Sequence, residues 1–305
     1  MTLGGTFQLA GELPVGRLGY GAMQLPGPQV WGPPADPGTA LAVLRRAVEL
    51  GVTHLDTSDA YGPHVANDLI RQALHPYPDD LVIATKVGVV RDEWRSFEAA
   101  AEPDALREQV EENLARLGLA RLDLVYLRVG GDGLLFPAET PFAESFGALA
   151  DLRRRGLIRH LGLSGVSVEQ LKEAAEIAPV AAVQNRYHLL DRGSEDVLRA
   201  CEERGVAFVP YFPLSAGLLR PGLDTSQLPP GMAPTAGQER VLDEVAARNG
   251  ATRAQVALAW LLGRSPVVLA IPGTGSPAHL EENAAAAGLT LPADDRAALD
   301  ALHTL

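Results

Sequence analysis

Short β-rich runs alternate with amphipathic helical stretches eight times along this chain, and that alternation limits its fold more than any other feature. The pairs are residues 16–20 with 38–50, 53–56 with 67–74, 81–85 with 103–117, 122–127 with 141–155, 158–163 with 168–177 and 181–184 with 194–204. Residues 207–211 then lead into a helix-rich stretch, and 267–271 precede a last helix at 277–287. Strands separated by helices pair in parallel, because each crossover lays its helix on a sheet face before the next strand begins. Eight such units close into a ring, so the predicted fold is α/β, a (β/α)8 TIM barrel. Residues 6–15 read as an additional N-terminal β-hairpin, too short for a domain and expected to act as a lid. Two extra helices, 238–248 and 253–262 with Gly250 between them, are predicted before strand eight.

Length alone allows two domains at 305 residues, yet no Ser/Gly-rich linker or shift of composition divides the chain, so residues 1–305 are read as one barrel domain. Pro103 opens the third helix where a missing N–H does no harm, and Gly156 follows the fourth. The Pro/Gly-rich segment 219–237 is read as a long loop after strand seven, of the kind that covers an active site or a cofactor. A formal net charge of -12 without any Lys/Arg-rich run argues against nucleic acid and anionic membrane as partners and for a small molecule. No apolar stretch reaches membrane-spanning length, and the N-terminus lacks the basic and apolar regions of a signal peptide, so the expected location is the cytoplasm. The single cysteine, Cys201, excludes an internal disulfide framework and any multi-thiolate metal site, and is read as a small buried hydrophobe on a helix. Monomer and homo-oligomer are both compatible with these features.

In an eight-fold barrel the active site lies at the C-terminal ends of the strands, so the polar residues there matter most. Strand two ends in Asp56, with Tyr61 on the loop beyond it; strand three ends in Lys86, strand four in Arg128, strand five in Ser164, strand six in Gln184 and strand seven in Tyr211. An acid, a phenol, an ammonium and a guanidinium therefore converge on one mouth. An ammonium beside a phenol stabilises its phenolate, and a phenol so placed can give a proton to a carbonyl oxygen. The plainer alternative is that Asp56 and Lys86 form a structural ion pair at the rim while Tyr61 is a packing residue.

The stretch Ile271-Pro-Gly-Thr-Gly-Ser-Pro-Ala-His279 leaves strand eight and enters a helix. Its glycines fit a loose dinucleotide fingerprint, but too little chain follows to complete a βαβ unit, so a Rossmann fold is rejected. A Gly/Ser/Thr-rich turn at a helix N-terminus is a phosphate site through its N–H groups and the helix dipole. It is equally a capped helix start, with Ser276 as N-cap and Pro277 at the first helical position; both readings are compatible. The sequence has no HExxH, P-loop or G-x-S-x-G motif, and its histidines lack metal-ligand spacing, so no metal is expected.

These residues resemble the aldo-keto reductase superfamily over nearly the whole chain. His54-Leu-Asp56-Thr-Ser-Asp-Ala-Tyr61-Gly resembles that family's second-strand motif, and Ala84-Thr-Lys86 its lysine strand. Gly162-Leu-Ser164, Val183-Gln184-Asn185, Tyr211-Phe-Pro-Leu214 and Ile271-Pro-Gly-Thr, followed by His279-Leu-Glu-Glu282-Asn283, resemble its cofactor-binding segments in order. The resemblance implies a nicotinamide-dependent reductase of small-molecule carbonyls, with NADPH extended across the mouth. It makes Tyr61 the general acid, Lys86 its activator and Asp56 the residue that holds Lys86. Gln184 and Ser164 would bind the carboxamide, and Tyr211 would stack on the nicotinamide. Gly273, Thr274, Ser276 and His279 would surround the adenosine phosphate, Glu282 and Asn283 would face the adenine, and Gly21, Ala22 and Met23 would also touch the cofactor.

Three departures from the family pattern carry information. Arg128 stands where members usually have histidine, and a permanently charged guanidinium makes the fourth catalytic role electrostatic. Gly165 replaces the usual asparagine after Ser164, removing a carboxamide contact. Gly275 and His279 stand where arginines often hold the phosphate, which leaves NADH open as a cofactor. The arginine variant, with Arg17-Leu-Gly-Tyr-Gly-Ala-Met-Gln24, Trp31-Gly-Pro-Pro34 and Tyr61-Gly-Pro-His64, resembles the branch that contains pyridoxal reductases, which reduce pyridoxal to pyridoxine. On that basis Trp31 and His64 are expected to line the substrate pocket, with loop packing as their alternative role. Two other classes compete: a nicotinamide-sensing regulatory subunit of ion channels, and an unrelated barrel lyase or isomerase acting on a phosphorylated substrate. Retention of Asp56, Tyr61 and Lys86 together favours an enzyme.

Overall fold

The computed structural model describes residues 3–130, 138–219 and 233–304. Strands β1 (Thr6–Leu9) and β2 (Leu13–Gly16) pair antiparallel as a hairpin. There follow β3 (Tyr20–Gly21), β4 (His54–Asp56) and β5 (Val82–Val87), then a small antiparallel pair, β6 (Val89–Arg91) and β7 (Phe97–Ala99). β8 (Leu122–Arg128), β9 (Ile158–Ser164), β10 (Val180–Gln184) and β11 (Ala207–Phe208) complete a parallel seven-stranded sheet in the order β3-β4-β5-β8-β9-β10-β11.

The two edges of that sheet are joined by residues 267–270. On one side Phe208 donates to the Val267 carbonyl and Leu269 to that of Phe208, both at 2.9 Å. On the other, Gly19 donates to Ala270 and Ala270 to Arg17, both at 2.8 Å. This stretch takes the place of the eighth strand and closes the ring, although only isolated bridges, Leu18 with Ala270 and Phe208 with Val268, mark it. The seventh strand is shorter than the 207–211 expected, since Pro210 has no N–H to give to the ladder.

Period-two alternation sorts each strand into an inner and an outer face. Ile83, Val125, Leu161 and Val183 point outward and pack under the helices, whereas Val82, Ala84, Leu124, Tyr126 and Ala182 fill the barrel. Leu9 and Val15 of the hairpin belong to the inner cluster. Gly16 donates to Thr53 Oγ1 at 2.8 Å, and Glu12 meets Arg159 and His160, each at 2.9 Å, all near strand starts. The hairpin expected as a lid therefore plugs the end of the barrel opposite to the strand C-termini.

The outer helices are α1 (Pro37–Glu49), α2 (Val65–Leu74), α3 (Pro103–Leu117), α4 (Phe142–Arg154), α5 (Val168–Ile177) and α6 (Glu195–Arg204). α7 (Ala236–Arg248) and α8 (Arg253–Arg264) are the two extra helices, each opened by a capping box, Thr235 with Gln238 and Thr252 with Gln255. α9 (Pro277–Ala285) leaves the barrel seam, and α10 (Ala293–Asp300), which the sequence pattern did not reveal, is tied to α7 by Asp295 accepting from Arg248 and Asn249. Of the loop expected over 219–237, residues 220–232 lie outside the described residues.

His54 sits at the start of β4, fully enclosed, with neither ring nitrogen hydrogen-bonded. Burial pushes its pKa from 6.5 down to about 4, against the pull of Asp56 and with Lys86 adding to the shift. Because the folded value lies below the unfolded one, the unfolded chain binds the extra proton first as pH falls, and stability is lost from about pH 6.5 downward at up to about 1.4 kcal/mol per unit. Urea midpoints taken across that window are expected to fall with pH, and to fall less steeply in His54→Leu. Equal slopes in the two proteins would dismiss the role of this histidine.

Candidate active site

The alternation that fills the barrel also delivers its chemistry. In register, Ala84 faces Leu124, Lys86 faces Tyr126, Arg128 faces Ser164 and Ser164 faces Gln184, so the inward positions above the apolar layers are Lys86, Arg128, Ser164 and Gln184. Asp56 ends β4 beside Gly21 and Ala84. Lys86 Nζ is in direct contact with Asp56 Oδ1 and donates to the Thr57 carbonyl at 2.8 Å. The second Asp56 oxygen accepts from Gln184 Nε2 at 2.8 Å. Asp56 and Lys86 are each only 2% exposed, so the pair is desolvated and its charges bear fully on whatever lies beside them.

Tyr61 lies beside that pair: Lys86 Nζ sits 5.1 Å from its ring centroid, Arg128 Cζ 5.5 Å away, and Arg128 donates to the Tyr61 hydroxyl at 3.4 Å. The phenol is thus flanked by two fixed cations. Its loop is held from behind by a buried network. Thr57 donates to Asn67 Oδ1 at 2.9 Å, while Asn67 Nδ2 and the Thr85 hydroxyl both donate to Asn113 Oδ1, at 2.9 and 2.6 Å. Gly62, at φ +105°, turns the chain into α2, and an added Cβ would meet Val65 Cβ at 2.4 Å. Asn113→Ala strands the partners on both sides, and is expected to cost about 2–4 kcal/mol of stability and to lower turnover by loosening the tyrosine loop. Urea denaturation and steady-state kinetics check both effects; an unaltered midpoint removes the network from the account.

Asp59 is buried in the same loop, next to Ser58. Burial pushes it up to about 7, while Arg128 draws it down, so near neutrality this carboxyl changes charge close to the arginine.

These groups open into one cleft of about 880 Å³ that runs to the turn after residue 271. Its wall includes Gly21, Met23, Asp56, Tyr61, Lys86, Arg128, Ser164, Gln184, Tyr211, Gly273, Thr274, His279, Glu282 and Asn283. Gly21 and Gly273 touch backbone to backbone; a Cβ on either would stand 2.7 or 2.6 Å from a carbonyl oxygen, so only glycines let the first strand meet the turn. Ala22 is fully buried and off the wall. Ser276 also lies off it and serves as the N-cap of α9, accepting from the His279 N–H.

Trp31 and His64 do not line the cleft. The backbone of residue 31 bridges that of Gly62, and Gly62 donates to the Val30 carbonyl at 3.1 Å, so the Trp31 segment braces the tyrosine loop instead. His64 precedes α2 with its Nδ1 3.9 Å from Glu112. Gln184, expected at a carboxamide, already spends one N–H on Asp56, and Glu282 accepts from Thr252 at 2.5 Å. By contrast the buried Ser164 hydroxyl and Asn283 side chain face the cleft with no hydrogen-bond partner among the described residues.

Sequence reasoning missed several wall residues, among them Phe97, Phe212, Thr252 and Arg253. Phe97 comes from the unexpected β6–β7 pair, where Val-Val-Arg and Phe-Glu-Ala flank a polar turn and carry a readable hairpin pattern. Phe212 has a left-handed backbone, φ 57°, that no sequence signal announced. Arg253 is held by both oxygens of Asp243 at 2.6 and 2.7 Å. Among the described residues no group of three His, Cys, Asp or Glu is arranged for a metal ion, and no helix is long and apolar enough to cross a membrane.

Comparison with known proteins agrees with this geometry. A pyridoxine 4-dehydrogenase of Escherichia coli is 48% identical over 97% of this chain and 98% of its own. A glycerol dehydrogenase from Gluconobacter oxydans superposes with a TM-score of 0.84 at 26% identity, covering 98% of this chain and 95% of that one. An aldo-keto reductase from Klebsiella pneumoniae, solved with NADPH, gives 0.77 at 28% identity, covering 99% and 96%. The model of the aldo/keto reductase family matches residues 17–304, nearly the whole barrel, and the chain belongs to that family.

Proposed function

We propose that this chain reduces the aldehyde of pyridoxal to the alcohol pyridoxine with NADPH. The observation that carries the substrate is the 48% identity, over nearly the full length of both chains, to a pyridoxine 4-dehydrogenase. The cleft supports the cofactor: it has a volume of about 880 Å³ and runs from the strand ends to the turn at Gly273, and Ser164 and Asn283 offer polar groups along it with no hydrogen-bond partner among the described residues. Ser164, the remaining amide valences of Gln184, and the turn at Gly273 and Thr274 would hold NADPH, with Tyr211 at the nicotinamide and His279, Glu282 and Asn283 towards the adenosine. When bound, NADPH supplies the hydride that adds to the carbonyl carbon.

The chain's own residues do the rest. Tyr61 gives its proton to the carbonyl oxygen as the C–O double bond becomes single, and the alcohol leaves with one hydride and one proton gained. Lys86 and Arg128 stabilise the negative charge that then develops on the phenol and carbonyl oxygens, and Lys86, already held by Asp56 and the Thr57 carbonyl, needs little reorganisation to do so. Asp56 and Gln184 keep Lys86 in place.

Steady-state oxidation of NADPH with pyridoxal and a panel of other aldehydes tests the reading. A kcat/KM for pyridoxal well above the panel is expected. No preference would remove the pyridoxal assignment and leave the reductase, and no turnover of any aldehyde would remove both.

A further inference from the structure

The β6–β7 hairpin follows β5 directly and brings Phe97 to the cleft wall beside Arg128. Arg91 and Phe97 are opposite each other in its ladder and share a face, with the Arg91 guanidinium 4.2 Å from the Phe97 ring centroid and 5.3 Å from that of Trp31. Arg128 lies 5.9 Å from the same phenylalanine ring and 5.5 Å from that of Tyr61. Aromatic rings and guanidinium groups therefore alternate from the rim to the reacting hydroxyl.

The guanidinium groups on this side of the mouth are held by neutral acceptors. Arg91 donates to the Gln29 and Val30 carbonyls, Arg95 to the Gln29 side chain and Arg128 to Tyr61, and none of the three is ion-paired with a carboxylate among the described residues. Burial weakens the hold of Arg91 on its proton; Asp92 strengthens it, and repulsion from Arg128 and Arg95 weakens it further. Asp92, Glu93 and Glu98 lie on the same hairpin and buried Asp59 draws on Arg128, so what this side offers an anion is the Arg128 guanidinium on the cleft wall, with no carboxylate ion-paired to it among the described residues.

We infer that Phe97, Arg128 and Arg91 form a substrate subsite for a flat aromatic aldehyde carrying an ionised oxygen on the ring carbon next to the carbonyl. Phe97 packs against the ring, Arg128 takes the ionised oxygen while Tyr61 meets the carbonyl, and Arg91 raises the local positive potential from behind Phe97. The two oxygens of such an aldehyde lie a hydrogen-bond length apart, a spacing that a guanidinium fork spans and a histidine ring does not. The inference rests on the carbonyl-reductase reading and narrows its substrate class.

The test compares kcat and KM, with NADPH, for salicylaldehyde against benzaldehyde and for pyridoxal against pyridine-4-carboxaldehyde, with butyraldehyde as a ring-free reference. Above the pKa of the substrate hydroxyl, the hydroxylated member of each pair is expected to have a kcat/KM at least about tenfold higher. Phe97→Leu is expected to raise KM for the aromatic aldehydes about tenfold more than for butyraldehyde. Arg91→Gln is expected to shrink the hydroxyl preference several-fold while keeping the ring preference. Equal kcat/KM within each pair, or a Phe97→Leu loss shared equally by butyraldehyde, overturns the inference, and turnover of butyraldehyde in that case leaves the reductase standing. Absence of turnover with every aldehyde overturns the reductase reading and this inference together.

Discussion

Tyr61→Phe is expected to lower kcat by about a hundred- to ten-thousand-fold while leaving NADPH affinity within about threefold. The substitution removes one oxygen and little volume, and the loop that carries the ring is held by backbone bonds to Val30 and by the Thr57–Asn67–Asn113 network, which the change does not touch. What is lost is the hydroxyl placed between Lys86 and Arg128. Single-turnover loss of NADPH absorbance isolates the chemical step from product release, and fluorescence titration with NADPH reads the binding. A variant keeping more than about a tenth of the wild-type rate would mean that the proton comes from elsewhere, and the sensor reading, in which turnover is incidental, would regain ground.

The ring of strands was legible because burial on both faces of a parallel sheet writes near-continuous apolar runs, as in Val82–Val87, which is buried throughout. Once that register is fixed, alternation alone turns Lys86, Arg128, Ser164 and Gln184 inward, so the polar end of each run announces the site. Residues that reach the cleft by other routes were hidden. Phe97 arrives on a hairpin outside the barrel repeat, and Arg253 from a helix opened by a capping box whose sequence says only where a helix begins. Trp31 and His64 show the converse: resemblance of their segments to one branch of the family placed them in the pocket, yet Trp31 supports the tyrosine loop by its backbone and His64 turns towards Glu112. The eighth strand was located correctly, but Pro272 stops it at a few bridges, and the turn after it combines a capped helix start at Ser276 with glycines that admit a close backbone approach.

Lys86→Met is expected to damage both catalysis and folding, and the two losses can be separated. With the ammonium gone, the buried Asp56 carboxylate keeps Gln184 as its one side-chain hydrogen-bond partner among the described residues, and an uncompensated buried charge costs about 3–5 kcal/mol. The stranded carboxyl escapes part of that cost by taking a proton, so the gap in urea midpoint between Lys86→Met and the wild type, which shares the His54 loss, is expected to narrow as pH is lowered towards the ordinary carboxylate range. Adding Asp56→Asn to Lys86→Met removes the charge outright and is expected to recover most of the stability. It is not expected to recover turnover, because the cation beside the Tyr61 ring is still missing and developing negative charge has only Arg128 to meet it. The double variant therefore distinguishes a structural ion pair at the barrel rim from a catalytic one. Near-wild-type kcat in a double variant with a restored midpoint would make Lys86 and Asp56 a folding element only, and the proton chemistry assigned to this mouth would have to rest on Arg128 and Tyr61 alone.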